Sequence, residues 1–102
     1  MESAPKTIFP VNRKYVPEAI VIRAIGHPLR LRILNEISVQ DQNVTKICGA
    51  LGASQAAVSH HLSVLRDAGI VTGDRRGTEV FYSIESPFVE RLMVILKVGE
   101  VN

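Results

Sequence analysis

The stretch NVTKICGALGASQAAVSHHLSVLRDAG, Asn43 to Gly69, decides the fold. Val44, Ile47, Cys48 and Leu51 stand at i, i+3, i+4 and i+7, one apolar stripe on a helix of about two turns. Asn43 is a good N-cap for that helix. Gly52 sits where a left-handed residue ends one. After a turn of about three residues, Ser54 caps a second helix that runs to Ala68, with Val58, Leu62 and Leu65 as its inward stripe. Gly69 stops it. A short helix, a tight turn and a longer helix make a helix-turn-helix pattern.

The face left over on the second helix is informative. At ~100° per residue, Ala56, Ser59, His60, Ser63 and Asp67 lie opposite the inward stripe, with Gln55 on a flank at the helix start. An ordinary solvated face is filled with Glu and Lys. This one carries small and hydrogen-bonding side chains near its N-terminal end. Small residues permit close approach to a groove floor, Gln and Ser bond base edges, and a helix N-terminus attracts phosphate. The plainer reading is a surface helix that is polar and short-chained.

Working outward, the period changes from about 3.6 to 2 after Gly69. Ile70-Val71-Thr72 is a short strand, Asp74 to Thr78 a hairpin tip containing Gly77, and Glu79 to Ile84 an alternating strand. Arg75 and Arg76 therefore fall on a mobile tip, suited to phosphate contacts or minor-groove insertion. The plainer reading is a solvated turn. Ser86-Pro87 opens a last helix, Phe88 to Val98, apolar on most sides.

Upstream, Val16, Ile20 and Ala24, with Ala19 and Ile22, predict a helix over Tyr15 to Ile25, with Pro17 in its first turn and Gly26 closing it. His27-Pro28 opens a second amphipathic helix to about Val39, with Leu29, Ile33, Leu34 and Ile37 inward. Gln40 to Asn43 reads as a polar connection, with no strand placed there. Residues 1–14 hold three of the twelve Lys/Arg and two prolines and read as an arm. Residues 15–102 read as one domain. The fold expected is mainly α with a small β-hairpin, a winged helix-turn-helix.

A chain of 102 residues, 46% hydrophobic and 22% charged, is one globular domain rather than a disordered segment. No apolar run reaches the ~20 residues that cross a bilayer, so no membrane partner is expected. Lys6, Pro5 and Pro10 interrupt any secretory signal. The single cysteine excludes an intrachain disulfide and fits a reducing cytoplasm. A net charge of +2 permits an anionic partner. So apolar a chain with so small a core points to a second copy. Phe88, Leu92, Ile95 and Leu96 of the last helix, with Val89 and Met93, read as a dimer core.

Several segments together resemble the ArsR/SmtB-type repressors. Gly26 to Leu34 (GHPLRLRIL) looks like the start of that family's second helix, and Ser54 to Gly69 (SQAAVSHHLSVLRDAG) resembles its recognition-helix signature. Val71 to Tyr82, with Arg75-Arg76-Gly77 and Phe81-Tyr82, resembles its wing. The likeness covers about residues 18–97 and is most specific over 54–82. It implies a cytoplasmic, homodimeric repressor that binds double-stranded operator DNA and pairs its protomers through the first and last helices, so that Val16 and Ile20 of the first would join Phe88, Leu92, Ile95 and Leu96 of the last at the dimer interface. By motif match, Ser54, Gln55, Ser59 and His60 would face bases or phosphates, and Arg75 and Arg76 would serve the wing.

The chain departs from the family at the metal positions. Aligned on Ser54-Gln55, the Cys-x-Cys site of some relatives falls on Asn43 and Thr45, which cannot replace thiolates for a soft ion. Another family site uses Asp and His on the last helix, but Ser86 to Asn102 offers only Glu90 and Glu100. No metal or other cofactor is therefore expected. Cys48 reads as a small buried residue. The alternative is a thiol that senses persulfide, oxidant or arsenite. His60 and His61 diverge by ~100° and do not chelate one ion, and His27 reads as structural.

Enzyme chemistry is not expected. A Cys-His nucleophile pair needs Cys48 exposed near a base, whereas its helical position is inward, and no Gly-rich phosphate loop follows a strand and no paired carboxylates stand at a recognisable spacing. A protein-interaction module on the same fold would carry acidic or bulky residues over 55–63 instead of these.

Overall fold

The computed structural model describes residues 13–99. The arm expected over 1–14 lies outside them except for Arg13 and Lys14. Helix α1 spans Val16–Ile25, with Pro17 in its first turn and Glu18 where an acid complements the helix dipole. Helix α2, Pro28–Val39, follows at once. His27 is its N-cap, and the ring Nδ1 accepts the Leu29 amide at 3.0 Å. The structural role expected for His27 is thus a capping role.

A two-residue strand β1, Gln42–Asn43, precedes helix α3, Val44–Leu51. Asn43 caps α3 as expected, accepting the Lys46 amide at 2.8 Å. Gly52 closes α3 at φ 63, a conformation that costs glycine nothing and other residues about a kcal/mol or more. Helix α4, Gln55–Asp67, ends one residue earlier than expected, with Ala68 as its C-cap. Strands β2, Val71–Arg76, and β3, Glu79–Ile84, form the hairpin, and helix α5, Pro87–Gly99, completes the described chain.

The sheet order is β1-β3-β2, antiparallel throughout. Two expectations change here. Gln42 pairs with Tyr82 and Asn43 with Phe81, so the polar connection contains a strand. The hairpin tip is only Gly77-Thr78, because Arg75 pairs with Val80 and Arg76 with Glu79. Asp74 and both arginines are poor strand formers. Their partner strand is rich in Val, Phe, Tyr and Ile and carries them in the ladder.

The core joins all the helices. Ile33 and Leu34 of α2, Ile47 of α3, Val58 and Leu65 of α4 and Val89 of α5 are fully enclosed, each contributing about 1.5–3 kcal/mol of burial. Ile70 closes the base of the hairpin. It is fully buried, its amide donates to the Leu65 carbonyl at 2.9 Å, and its carbonyl accepts the Glu85 amide at 2.7 Å. This clasp fixes the wing to the end of α4. Val89 and Met93, expected in an inter-chain core, are spent inside the protomer. Leu92 is half-buried against the same core.

Candidate nucleic-acid interface

The helix-turn-helix is α3, the Gly52 turn and α4. Its inward stripe, Val58, Leu62 and Leu65, is buried as the periodicity predicts. The outward side chains Gln55, Ala56, Ser59 and His60 are exposed together on the first two turns of α4, whereas Ser63 is half-buried. Ser54 is exposed, and its Oγ accepts the Ala57 amide at 3.1 Å. That cap spends one acceptor of the hydroxyl and leaves its proton. The amides of Gln55 and Ala56 have no intrahelical acceptor, so two N–H groups and the positive end of the helix dipole meet the exposed Gln and Ser. Such an end suits phosphate, and the turns behind it suit base edges.

The opposite side of α4 is fastened to the rest of the protein by contacts that periodicity does not encode. His61 turns back from the exposed face, and its Nδ1 lies 3.1 Å from Nη1 of Arg30. Arg30 also donates through Nε to the Ala24 carbonyl, so one guanidinium joins α1, α2 and α4. The His27 ring packs tilted at 45° with its centre 4.5 Å from that of His61, and His60 approaches His61 edge-on at 5.2 Å. Burial first, then His27, Arg30 and His60, lower the pKa of His61. Nothing in the spacing of these residues announced the cluster.

The wing places its two arginines differently. Strand alternation puts Asp74 and Arg76 on one face of β2 and Arg75 on the other. Arg75 is exposed. Arg76 is engaged: Nε donates to Asp74 Oδ2 at 2.9 Å and Nη2 to Asp41 Oδ2 at 2.7 Å, while its guanidinium carbon lies 4.8 Å from the Phe81 ring centre. The two carboxylates raise its pKa further. Both arginines lie in strand β2 and not in the hairpin turn.

Cys48 is half-buried rather than fully buried, at the margin of the core. Among the described residues no group of three or more His, Cys, Asp or Glu is arranged to hold a metal ion, and no helix is long and apolar enough to cross a membrane. Several large apolar side chains of α1 and α5 are exposed. Val16 and Ile20 of α1 are 40% and 54% exposed, and Phe88, Ile95 and Leu96 of α5 are 47%, 65% and 39% exposed. Tyr15, Ile22 and Val94, which sequence reasoning did not assign to an interface, are exposed as well.

Comparison with known proteins agrees with this architecture. Residues 27–72, from the cap of α2 to the start of the wing, match the family described as bacterial regulatory protein, arsR family. The transcriptional regulator NmtR of Mycobacterium tuberculosis is 40% identical over 75 residues; the match takes in 74% of this chain and 62% of that protein. The transcriptional repressor PagR of Bacillus anthracis is 36% identical over 80 residues, 78% of this chain and 80% of the repressor. The homodimeric winged helix-turn-helix DNA-binding domain from Mycobacterium bovis superposes with a TM-score of 0.78 at 28% identity, covering 90% of this chain and 88% of that one. With the fold, the helix-turn-helix and the wing in place, the chain belongs to the arsR family of bacterial regulatory proteins.

Proposed function

We propose that the chain is a homodimeric, sequence-specific DNA-binding transcription regulator, a repressor acting on operator DNA in the cytoplasm, with no enzymatic activity. The observation that carries this reading is the exposed set Gln55, Ala56, Ser59 and His60 at the open N-terminal end of α4. Ser54 borders that set at the helix start, Ser63 continues it one turn on, and the wing arginines, Arg75 and Arg76, belong to the same reading. The function of the relatives supports the same reading.

Pairing of two protomers follows from the apolar surface of α1 and α5. Val16, Ile20, Phe88, Ile95 and Leu96 are large apolar side chains left exposed on these two helices, with Leu92 half-buried on α5, and a second copy would take them out of water. The homodimeric state of the M. bovis domain is consistent with this. A two-fold dimer sets its recognition helices one DNA turn apart, ~34 Å, on one side of the duplex.

The test is a salt-titrated anisotropy assay on the DNA upstream of the protein's own gene and on a random duplex. Each is run alone and with zinc, cadmium, arsenite, peroxide or persulfide. A specific site binds tighter than the random duplex by ~10³-fold or more, and both affinities fall with salt. Equal affinity for the two duplexes refutes sequence-specific recognition.

A further inference from the structure

We propose that Arg76 is a positioning residue, a staple that locks the wing onto the helix-turn-helix, and that Arg75 alone is the wing's contact to the DNA backbone. The proposal rests on the DNA-binding reading above and divides roles within that site.

The geometry of the sheet carries it. β3 lies between β1 and β2. From β2, the Arg76 side chain crosses the face of β3 over Phe81 and reaches Asp41, the residue just before β1. One side chain therefore reaches from β2 across β3 to the residue that leads into β1. Asp41 leads directly through Gln42 and Asn43 into α3, so the outer strand of the wing is tied to the entrance of the helix-turn-helix.

Charge decides between the two roles. Arg76 with Asp41 and Asp74 forms a group of one cation and two anions, with a net charge of −1. A net-negative group repels a phosphate. The Nε and Nη2 groups of Arg76 already serve two charge-assisted hydrogen bonds of 2.9 and 2.7 Å, and a phosphate at its remaining N–H groups would stand close to both carboxylates. Arg75 faces the other side of the strand and is exposed. The strand pairing holds its backbone, so its guanidinium projects from a fixed base.

The experiment measures binding to a random-sequence duplex and to the DNA upstream of the protein's own gene across a salt series. The variants are Arg75→Ala, Arg76→Ala, Asp41→Asn and the Asp41→Asn/Arg76→Ala double variant of the full chain. Arg75→Ala flattens the log–log salt slope by nearly one unit on both duplexes. Arg76→Ala leaves the slope unchanged and weakens binding about two- to fivefold, the strength of exposed ion pairs expressed as an equilibrium constant. That loss disappears in the Asp41→Asn background, because the staple is already open. The proposal is overturned if Arg76→Ala leaves affinity unchanged. It is equally overturned if Arg76→Ala flattens the slope as Arg75→Ala does and costs as much in the Asp41→Asn background. A wild-type chain that binds neither duplex refutes the DNA-binding reading itself, which separates that failure from a failure of the staple.

Discussion

Arg30 Nη1 lies 3.1 Å from His61 Nδ1. A guanidinium only donates, so His61 Nδ1 accepts and its ring is neutral in this contact. Protonation would set two N–H groups and two positive charges against each other at the joint between α2 and α4. The pKa of His61 is accordingly lowered by burial, by His27, by Arg30 and by His60. A base with a depressed folded-state pKa binds more protons unfolded than folded. Its contribution to stability is complete above its ordinary value of about 6.5 and is lost as pH falls through the folded pKa. Thermal unfolding followed across this range should show the wild type losing stability on acidification. His61→Gln, which keeps a polar acceptor, should show a shallower dependence. Identical pH profiles for the two proteins would remove His61 from the account.

The side chains proposed to read bases lie on the first two turns of α4. Gln55→Ala and Ser59→Ala should each weaken specific binding by ~1–3 kcal/mol for every well-formed hydrogen bond to a base that the substitution removes. The fold should be unchanged, since both side chains are exposed. Anisotropy on the upstream DNA against a random duplex measures the difference. Wild-type affinity in both variants would mean that another surface reads the sequence.

Assembly is best probed at Ile95. Leu92→Glu would place a charge against the protomer's own core, because Leu92 is half-buried there. Ile95 is 65% exposed, so Ile95→Glu should leave the helical circular dichroism intact and convert a dimer to a monomer in sedimentation. DNA affinity should fall with it, as each half-site alone binds weakly. A wild type that sediments as a monomer at micromolar concentration contradicts the dimer.

The wing leaves no room beside Gly73. A Cβ there would lie 2.8 Å from Val80 Cγ1 and 3.2 Å from Tyr82 Cε1. Val80 is β-branched and stiff at χ1, so it cannot step aside without leaving its preferred rotamer. Gly73→Ala should cost about 1–3 kcal/mol in chemical denaturation, the range for forced overpacking. A loss below the error of the measurement would mean that the hairpin adjusts freely.

Cys48 is the remaining test of the sensing mechanism. Cys48→Ala should keep wild-type DNA affinity at a packing cost of ~1 kcal/mol. Zinc, cadmium and arsenite at stoichiometric concentration should release neither protein from DNA. Release of the wild type by a metal, peroxide or persulfide, absent in Cys48→Ala, would make the thiol the sensor.

The helices were legible because their signals are local. Ile33, Leu34 and Ile37, or Val58, Leu62 and Leu65, repeat at helical spacing, and Asn43, Ser54 and Ser86 announce caps one residue before a helix begins. The exposed face of α4 followed from the same arithmetic. What escaped was the pairing of residues far apart in the chain. Arg30 and His61 are 31 positions apart, and Asp41 and Arg76 are 35 apart. No periodicity links them. Gln42-Asn43 is too short and too polar to show alternation, and it becomes a strand only because β3 has an open edge to pair with. The length of the hairpin escaped for a related reason: Asp74 to Arg76 read as a turn by composition, and the partner strand overrides that preference.

Asn43 performs two duties at one point in the chain. Its backbone pairs with Phe81 of the wing and its side chain caps α3. The wing and the helix-turn-helix thus have no hinge between them and are not interchangeable parts. A chimaera that imported only residues 70–84 from a relative would set a foreign strand against Gln42, Asn43 and Asp41, and would mis-set the first helix of the DNA reader along with the wing. Any exchange of specificity between relatives must therefore carry residues 41–43 with the hairpin, so that the inherited unit is a continuous clamp rather than a loop.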